Sequence, residues 1–396
     1  MQSLITILLF LSIIMLSFAN GANDVSKGIA TLVGSGITNY KKAILWGTIW
    51  TMAGAIVAAF FALEMVKTFS VGGIVKSTAN LNQVFPVAVA LGAFIWVIIA
   101  SKTGLPVSTT HSIIGALCGA GIVAVGIDGV TWSVLEKKIF LPLAFSPVAA
   151  LGISWLLFPL IRKASLRAER YCVCLEVREG ISYKPLLEKP VLIPDLIGDI
   201  EGSGAIVAVS HIDRFPQATL LAAEKDACSE SLSSPIRLEV IDLFHWLSSG
   251  MTSFSRGLND APKIVAITLG AGALGTHLPS SVSFLTIALA MGIGSIVSGL
   301  RVTETLAEKV TPMTPQEGFA ANLTTSILVG IAARFGLPVS TTHVSSGAII
   351  GIGLKHGEKT VRWKVVFEMI LAWIITLPFS ALIALLSYWV LTRISL

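Results

Sequence analysis

Residues Gly104–His111 read GLPVSTTH, and residues Gly336–His343 read GLPVSTTH again, at an offset of 232 (340 − 108). Chance does not repeat an eight-residue word in a chain of 396 residues. The likeness continues beyond the word, because Gly115 and Gly119 recur as Gly347 and Gly351. A second shared element stands upstream of each copy. Asn23-Asp24 with Lys27 returns as Asn259-Asp260 with Lys263, at an offset of 236 (260 − 24), and Gly34 and Gly36 return as Gly270 and Gly272. The chain is therefore two homologous halves, each carrying an Asn-Asp pair and a proline followed by three hydroxyls. Internal self-similarity on this scale governs the fold and has to be read before anything else.

Composition decides the solvent. Hydrophobic residues make up 54% of the chain and charged residues 13%, with a mean hydropathy of +0.82. Soluble domains carry about 25% charged residues, so the composition predicts a polytopic membrane protein. The formal charge of +5 then says little about nucleic acid, since the placement of Lys and Arg in loops matters more. Cys118 sits in an apolar stretch, while Cys172, Cys174 and Cys228 lie in a polar insert. They form no disulfide framework or metal spacing and read as reduced thiols. Met1–Asn20 lacks a basic start and a small-residue cleavage site, and reads as a retained first helix.

Spanning helices need about 20 apolar residues. Such segments are expected near 3–20 continuing into 24–37, then 42–63, 84–102, 108–127 and 138–161. In the second half they are expected near 244–270, 281–300, 317–335, 340–354 and 365–392. This gives a first membrane repeat over 1–161, a hydrophilic insert over 162–243 and a second repeat over 244–396. Within the insert, Gly204–Ile212 is apolar enough to fold locally. Five crossings per half is an odd number, so the second half enters from the opposite side. The expected fold is all-α, with two inverted-topology repeats whose broken or re-entrant helices meet at a midplane site. That is the organisation of many secondary transporters. With the N-terminus outside, Lys41, Lys42, the basic start of the insert, Arg301, Lys309 and Lys355–Lys364 face the cytoplasm, leaving Lys67, Lys76, Lys137 and Lys138 opposite. The positive-inside bias agrees with that orientation. The expected location is the cell membrane, multi-pass (the inner one in a Gram-negative cell).

The hydroxyl run has a direct physical reading. Pro106 has no N–H and disfavours helix at Leu105. Ser108 is then a natural N-cap, with Thr109 and Thr110 in the first turn. An interrupted backbone inside a bilayer must be buried in protein or line a cavity. Free N–H groups, a positive helix end and three hydroxyls together suit a tetrahedral anion. Ser108, Thr109, Thr110, Ser340, Thr341 and Thr342 are accordingly the candidate anion-binding residues. The bland alternative is a cap plus small-residue helix packing through the GxxxG pairs.

Asn23, Asp24, Asn259 and Asp260 are the candidate cation site. A carboxylate at the bilayer centre costs at least about 2.5–3.5 kcal/mol, so it must be protonated, paired or cation-bound. Gly21 and Gly257 are expected to let the helix break and bare carbonyls beside the Asn and Asp oxygens. Such oxygens suit sodium. Lys27 and Lys263, three residues on, offer the competing reading of a structural ion pair. Ala22 and Asn322 are further site candidates, Asn322 with interhelical hydrogen bonding as its plain alternative. Two carboxylates repel an anion, so the arrangement calls for cation co-transport. His111 and His343 lack further metal ligands and read as hydrogen-bond donors. An intramembrane Ser-His-Asp hydrolase from Ser108, His111 and Asp24 is disfavoured, because an enzyme needs no second copy. Arg301 reads as a snorkelling cytoplasmic arginine, with Glu304 an acid near the helix start.

The segments FANGANDVSKGIATLVGSG, GLPVSTTHSIIG, FSRGLNDAPKIVAI and GLPVSTTHVSSG resemble those of the inorganic phosphate transporter family of cation-coupled symporters. The resemblance covers both membrane halves and not the insert. It implies symport of inorganic phosphate with sodium or protons, without enzymatic chemistry or a cofactor, in a homodimer. Phosphate then falls to the six hydroxyl residues and the cation to the two Asn-Asp pairs. Sulfate, another tetrahedral oxyanion, and a metal–phosphate complex are the alternative substrates. Several family members carry glutamates where Trp50 and Asn322 stand here. The loss of two titratable groups favours sodium over protons.

Overall fold

Glycines at positive φ follow the helix ends at Gly104, Gly126 and Gly336. The structure, a computed structural model, describes residues 2–61, 63–75, 81–168, 171–185, 209–224, 236–272 and 280–394. Two compact units emerge, one from 1–165 with 241–396 and one from 166–240. The larger unit is helical. Its first part comprises α1 (Gln2–Asp24), α2 (Ser26–Gly34), α3 (Tyr40–Phe61), α4 (Leu63–Phe69), α5 (Val71–Ile74), α6 (Phe85–Thr103), α7 (Thr109–Val125), α8 (Trp132–Val134) and α9 (Leu141–Ala168). Its second part comprises α10 (Val240–Gly272), α11 (Ser280–Ser298), α12 (Leu300–Glu308), α13 (Pro315–Arg334), α14 (Thr341–Lys355) and α15 (Trp363–Ile394).

Among the described residues, six stretches are long and apolar enough to cross a membrane: 3–34, 40–61, 85–103, 132–165, 281–298 and 363–394. Large apolar side chains stay exposed on them, among them Phe60, Phe145, Leu156, Phe367 and Ile374. In water such a surface would be a liability, and against lipid tails it is the required one. Helix α10 is more polar than these, because it carries Asp242, His245, several serines and Arg256 as well as the second Asn-Asp pair and Lys263. At 33 residues it is still about 50 Å long. Prolines inside α9, α10 and α15 are the kind that membrane helices tolerate, since neighbours re-satisfy the freed carbonyls. Helix α13 opens with Pro315 and a capping box in which Glu317 reaches back to Thr314, the local signature of a helix start.

The smaller unit holds a three-stranded antiparallel sheet of order β2-β1-β3, with β1 at Tyr171–Pro185, β2 at Val209–Glu224 and β3 at Ile236–Glu239. Tyr171 pairs with Glu224 and Cys172 with Glu239. The all-helical expectation thus describes the membrane unit, while the insert contributes strands. Of the apolar patch Gly204–Ile212, residues 209–212 belong to β2, and the remainder, like Cys228, lies outside the described residues. Cys118 is a buried free thiol.

The expected helix breaks at Gly21 and Gly257 do not occur. Helix α1 runs through Asn23 to Asp24, and Val25 keeps right-handed helical angles before α2 begins. Helix α10 passes through Asn259-Asp260 without interruption. Both glycines serve packing instead. A Cβ on Gly21 would lie 1.9 Å from the Met291 carbonyl oxygen, and one on Gly257 would lie 2.1 Å from that of Thr51. Glycine is needed there because another backbone passes, and the same close approach anchors Ser295 Oγ on the Gly21 carbonyl at 3.1 Å.

Candidate functional site

The two GLPVSTTH words fold alike. Gly104 ends α6 at φ 76° and Gly336 follows α13 at φ 66°. In each case the next leucine closes a Schellman-type turn: Leu105 N–H on the Ala100 carbonyl and Leu337 N–H on that of Ala332, both at 2.9 Å. A left-handed residue at this place is what glycine permits. The chain then runs extended through the proline to Ser108 and Ser340. Each serine Oγ accepts from the histidine N–H three residues on, at 3.2 Å, and so caps α7 and α14. The serine used as a cap accepts from the histidine backbone, leaving no Ser–His side-chain pair of the kind a hydrolase needs.

The extended residues leave backbone groups without helical partners, which is costly in an apolar medium. The Asn-Asp elements supply those partners. Asn23 Nδ2 donates to the Leu105 carbonyl at 3.0 Å and to Ser101 Oγ at 3.2 Å, and its Oδ1 accepts from Val107 N–H at 3.2 Å. In the other half Asn259 Nδ2 donates to the Val339 carbonyl at 3.2 Å. Each half thus latches its own break with its own asparagine.

The carboxylates sit on the other side of these latches and are nearly unexposed. Asp24 Oδ1 faces Lys27 Nζ at 3.0 Å. Asp24 Oδ2 accepts from Asn20 Nδ2 at 2.7 Å and from Thr109 Oγ1 at 3.0 Å. Asp260 Oδ1 accepts from Asn259 Nδ2 at 2.8 Å and faces Lys263 Nζ at 3.4 Å. Asn20 Nδ2 also lies 3.3 Å from Asp260 Oδ2 and 3.1 Å from Thr109 Oγ1. One amide nitrogen therefore ties both carboxylates to the hydroxyl run.

Contacts across the halves bring the two hydroxyl runs together. Lys263 Nζ donates to Thr110 Oγ1 at 2.7 Å, and Thr342 Oγ1 donates to the Val107 carbonyl at 2.7 Å. The His111 and His343 rings lie 4.7 Å apart, centroid to centroid, and His343 stacks on Trp373 at 4.1 Å. His343 Nδ1 is 3.2 Å from the Leu143 carbonyl, a hydrogen bond within the bundle. No cluster of three or more His, Cys, Asp or Glu side chains suited to a metal is present among the described residues. All six serines and threonines of the two runs, Thr341 included, are buried. A cavity of about 610 Å³ adjoins His111 and His343, lined by Leu143, Pro147, Trp373 and other apolar residues. Its lining is the wrong chemistry for an anion, so the polar constellation is the candidate site and the cavity is not.

Two members of that constellation were not singled out in the sequence. Asn20 and Arg256 stand four residues before Asp24 and Asp260, at the same 236-residue offset (256 − 20). That shared offset was the available signal. Arg256 is wholly buried. Its Nη1 reaches the Asn20 carbonyl at 3.5 Å, its Nε and Nη2 have no hydrogen-bond partner, and it lies within electrostatic reach of both carboxylates. Other candidates fall outside the constellation. Asn322 Nδ2 donates to the Gly28 carbonyl at 3.1 Å, an interhelical bond, and Ala22 is buried without a polar side chain. Trp50 packs edge-on against Trp46 and Phe254. Arg301 donates to the Lys102 carbonyl at the exposed surface.

The Phosphate transporter family matches residues 20–384 of the chain. A Pyrococcus horikoshii protein named "Putative phosphate permease" is 30% identical over 402 residues, which are 96% of either chain. "Inorganic phosphate transporter 2-1, chloroplastic" of Arabidopsis thaliana is 28% identical over 94% of this chain and 70% of its own. A solved structure, "The sodium-dependent phosphate transporter", superposes with a TM-score of 0.72 at 25% identity, covering 98% of this chain and 99% of that one.

Proposed function

The chain belongs to the phosphate transporter family and is an integral, multi-pass membrane protein, and from that premise we propose that it carries inorganic phosphate across the cell membrane by alternating access. In this reading the anion docks where the N-termini of α7 and α14 come together. The observation that carries it is the meeting of two serine-capped helix starts with buried threonine hydroxyls around them. Helix N-termini offer unpaired N–H groups and positive potential to an anion. The two halves, entering from opposite sides as inverted repeats, exchange access by rocking about this junction.

Two coupling ions suit the site. Sodium is supported by the name of the solved relative and by the carboxylate, amide and carbonyl oxygens at Asn23-Asp24 and Asn259-Asp260. A proton is the second reading, favoured by the two lysines that stand on those oxygens. Uptake of radiolabelled phosphate into proteoliposomes, with sodium and pH gradients imposed separately and sulfate as competitor, tests substrate and ion together. No phosphate movement under any gradient would end the phosphate reading.

Alanine replacements at Ser108, Thr109, Thr110, Ser340, Thr341 and Thr342 remove hydroxyls and leave the backbone N–H groups. A hydrogen bond to a charged group is worth about 1.5–3 kcal/mol, so each loss is expected to weaken phosphate binding roughly 10- to 150-fold. Unchanged affinity in all six single variants would take these residues out of the site.

Orientation is open to a chemical test. With the insert in the cytoplasm, Cys172, Cys174 and Cys228 stay unlabelled by an impermeant thiol reagent on intact cells and react once the membrane is opened. Labelling of any of them from outside would reverse the orientation.

A further inference from the structure

Lys27 and Lys263 stand three residues beyond the two aspartates, but each ammonium does more than pair with a carboxylate. Lys27 Nζ lies 2.7 Å from the Asn23 carbonyl, 2.7 Å from Asn23 Oδ1 and 3.0 Å from Asp24 Oδ1. A backbone carbonyl, an amide oxygen and a carboxylate are the oxygen set that a hard monovalent cation would use. Lys263 Nζ stands on the second carboxylate with a different set, a hydroxyl, a backbone carbonyl and a carboxylate: Thr110 Oγ1 at 2.7 Å, the Val339 carbonyl at 3.1 Å and Asp260 Oδ1 at 3.4 Å. Both lysines are about 1% exposed, so these ammonium groups have no solvent to retreat into.

The charge balance points the same way. Asp24 and Asp260 give two negative charges, and Lys27, Lys263 and Arg256 give three positive ones, all buried together. The cluster is formally +1, and Arg256 keeps two N–H sites without a partner. One phosphate monoanion brings it to zero. A free sodium at each pair would instead raise the empty site to +3 and set each ion against an ammonium on the same oxygens. The repulsion between anion and carboxylates that called for co-transported cations is already cancelled by side chains.

Resting on the phosphate reading above, we propose that the Lys27 and Lys263 ammonium groups are tethered cations that take the place of free sodium at the two Asn-Asp pairs, so that phosphate is loaded and moved without sodium. The lysine is then the residue that sets ion dependence. An asparagine in its place keeps a polar side chain and removes the built-in charge, which frees for an ion the oxygens that the ammonium held.

Radiolabelled phosphate uptake into proteoliposomes tests this, comparing sodium with equimolar potassium or N-methylglucamine. Wild-type uptake is expected to be the same in all three. Lys27→Asn, Lys263→Asn and the double variant are expected to lose uptake in sodium-free buffer and to regain it with sodium. Recovered uptake should be half-maximal with sodium at its Kd and reach about 90% of its maximum at about ten times Kd. Thermal unfolding of the purified variants in sodium against potassium supplies a readout independent of transport, with sodium-specific stabilisation expected in the variants and absent from the wild type. Sodium-dependent uptake by the wild type overturns the proposal and leaves the phosphate reading standing. Variants with no sodium response in either assay also overturn it. A wild type that moves no phosphate under any ion ends the phosphate reading instead, and sodium-specific stabilisation of the variants still reports whether the ammonium groups stand in for sodium.

Discussion

Asp24→Asn is expected to abolish phosphate uptake and to lower the unfolding temperature at the same time. Asp24 faces the Lys27 ammonium at 3.0 Å and receives Asn20 Nδ2 and Thr109 Oγ1 on its other oxygen. Taking one partner from a buried ion pair costs about 3–5 kcal/mol, because the remaining charge stays in a medium that cannot solvate it. At about 1.4 kcal/mol per decade, that much energy drawn from the loaded site lowers uptake by at least about 100-fold. The change also shifts the cluster from a formal +1 to +2. Asp24→Asn with Lys27→Gln restores the balance, so the double variant is expected to recover stability while uptake stays lost. Its oxygens no longer fix the hydroxyl run with a charge-assisted bond. Asp260→Asn should cost less stability, since Asp260 stands 3.4 Å from Lys263, a longer pair than the 3.0 Å between Asp24 and Lys27. Uptake and thermal melting on the same preparations decide the matter. Asp24→Asn protein that transports at more than about a tenth of the wild-type rate would remove this carboxylate from the mechanism.

Local rules at the proline-and-hydroxyl word were legible in the sequence, because each acts within a few residues. Pro106 keeps the chain out of helix, Ser108 caps the next helix, and the second copy repeats both steps, while the left-handed turn at Gly104 that ends the preceding helix is seen only in the structure. The Asp–Lys pairs at i,i+3 were legible for the same reason. What the letters could not give was which neighbour each glycine meets. Gly21 and Gly257 read as helix breaks because glycine both loosens a helix and admits a passing backbone. Only the position of Met291 and Thr51 tells which use applies. Arg256 was missed for a related reason. Nothing near Arg256 in the sequence marks its partner, since its burial depends on α1 placing Asn20 beside it. Asn322 stands within an apolar run like a site residue, yet its partner is the Gly28 carbonyl, far away in sequence. The strands of the insert did carry a signal, since Val173, Leu175, Val177, Ile181 and Tyr183 alternate with more polar residues along β1, but which strands pair is set by residues far apart in the chain.

The glycines that extend the repeat make the second large prediction, the loss of folded protein in Gly119→Val and Gly351→Val. A Cβ on Gly115 would lie 2.2 Å from the Leu377 carbonyl oxygen, and one on Gly119 would lie 2.0 Å from that of Ala381. On the other broken helix, a Cβ on Gly347 would lie 2.3 Å from the Pro147 carbonyl oxygen, and one on Gly351 would lie 2.4 Å from that of Leu151. Leu377 and Ala381 follow Pro147 and Leu151 by the same 230 residues (377 − 147). Each half's broken helix therefore lies on the last helix of the other half, α7 on α15 and α14 on α9, backbone against backbone. Small residues permit that approach in a bilayer, where no hydrophobic force drives helices together. An added methyl costs about 1–3 kcal/mol where the neighbour is another backbone, and valine adds more. Gly152 is the internal control. It lies in α9 with nothing within 4 Å of a built Cβ, so Gly152→Ala is expected to fold like the wild type. Size-exclusion profiles and melting curves of detergent-purified variants separate the cases. Wild-type behaviour of Gly119→Val or Gly351→Val would mean that the two halves are not held by this exchange of helices, and the hydroxyl runs would then need some other frame to keep them opposed.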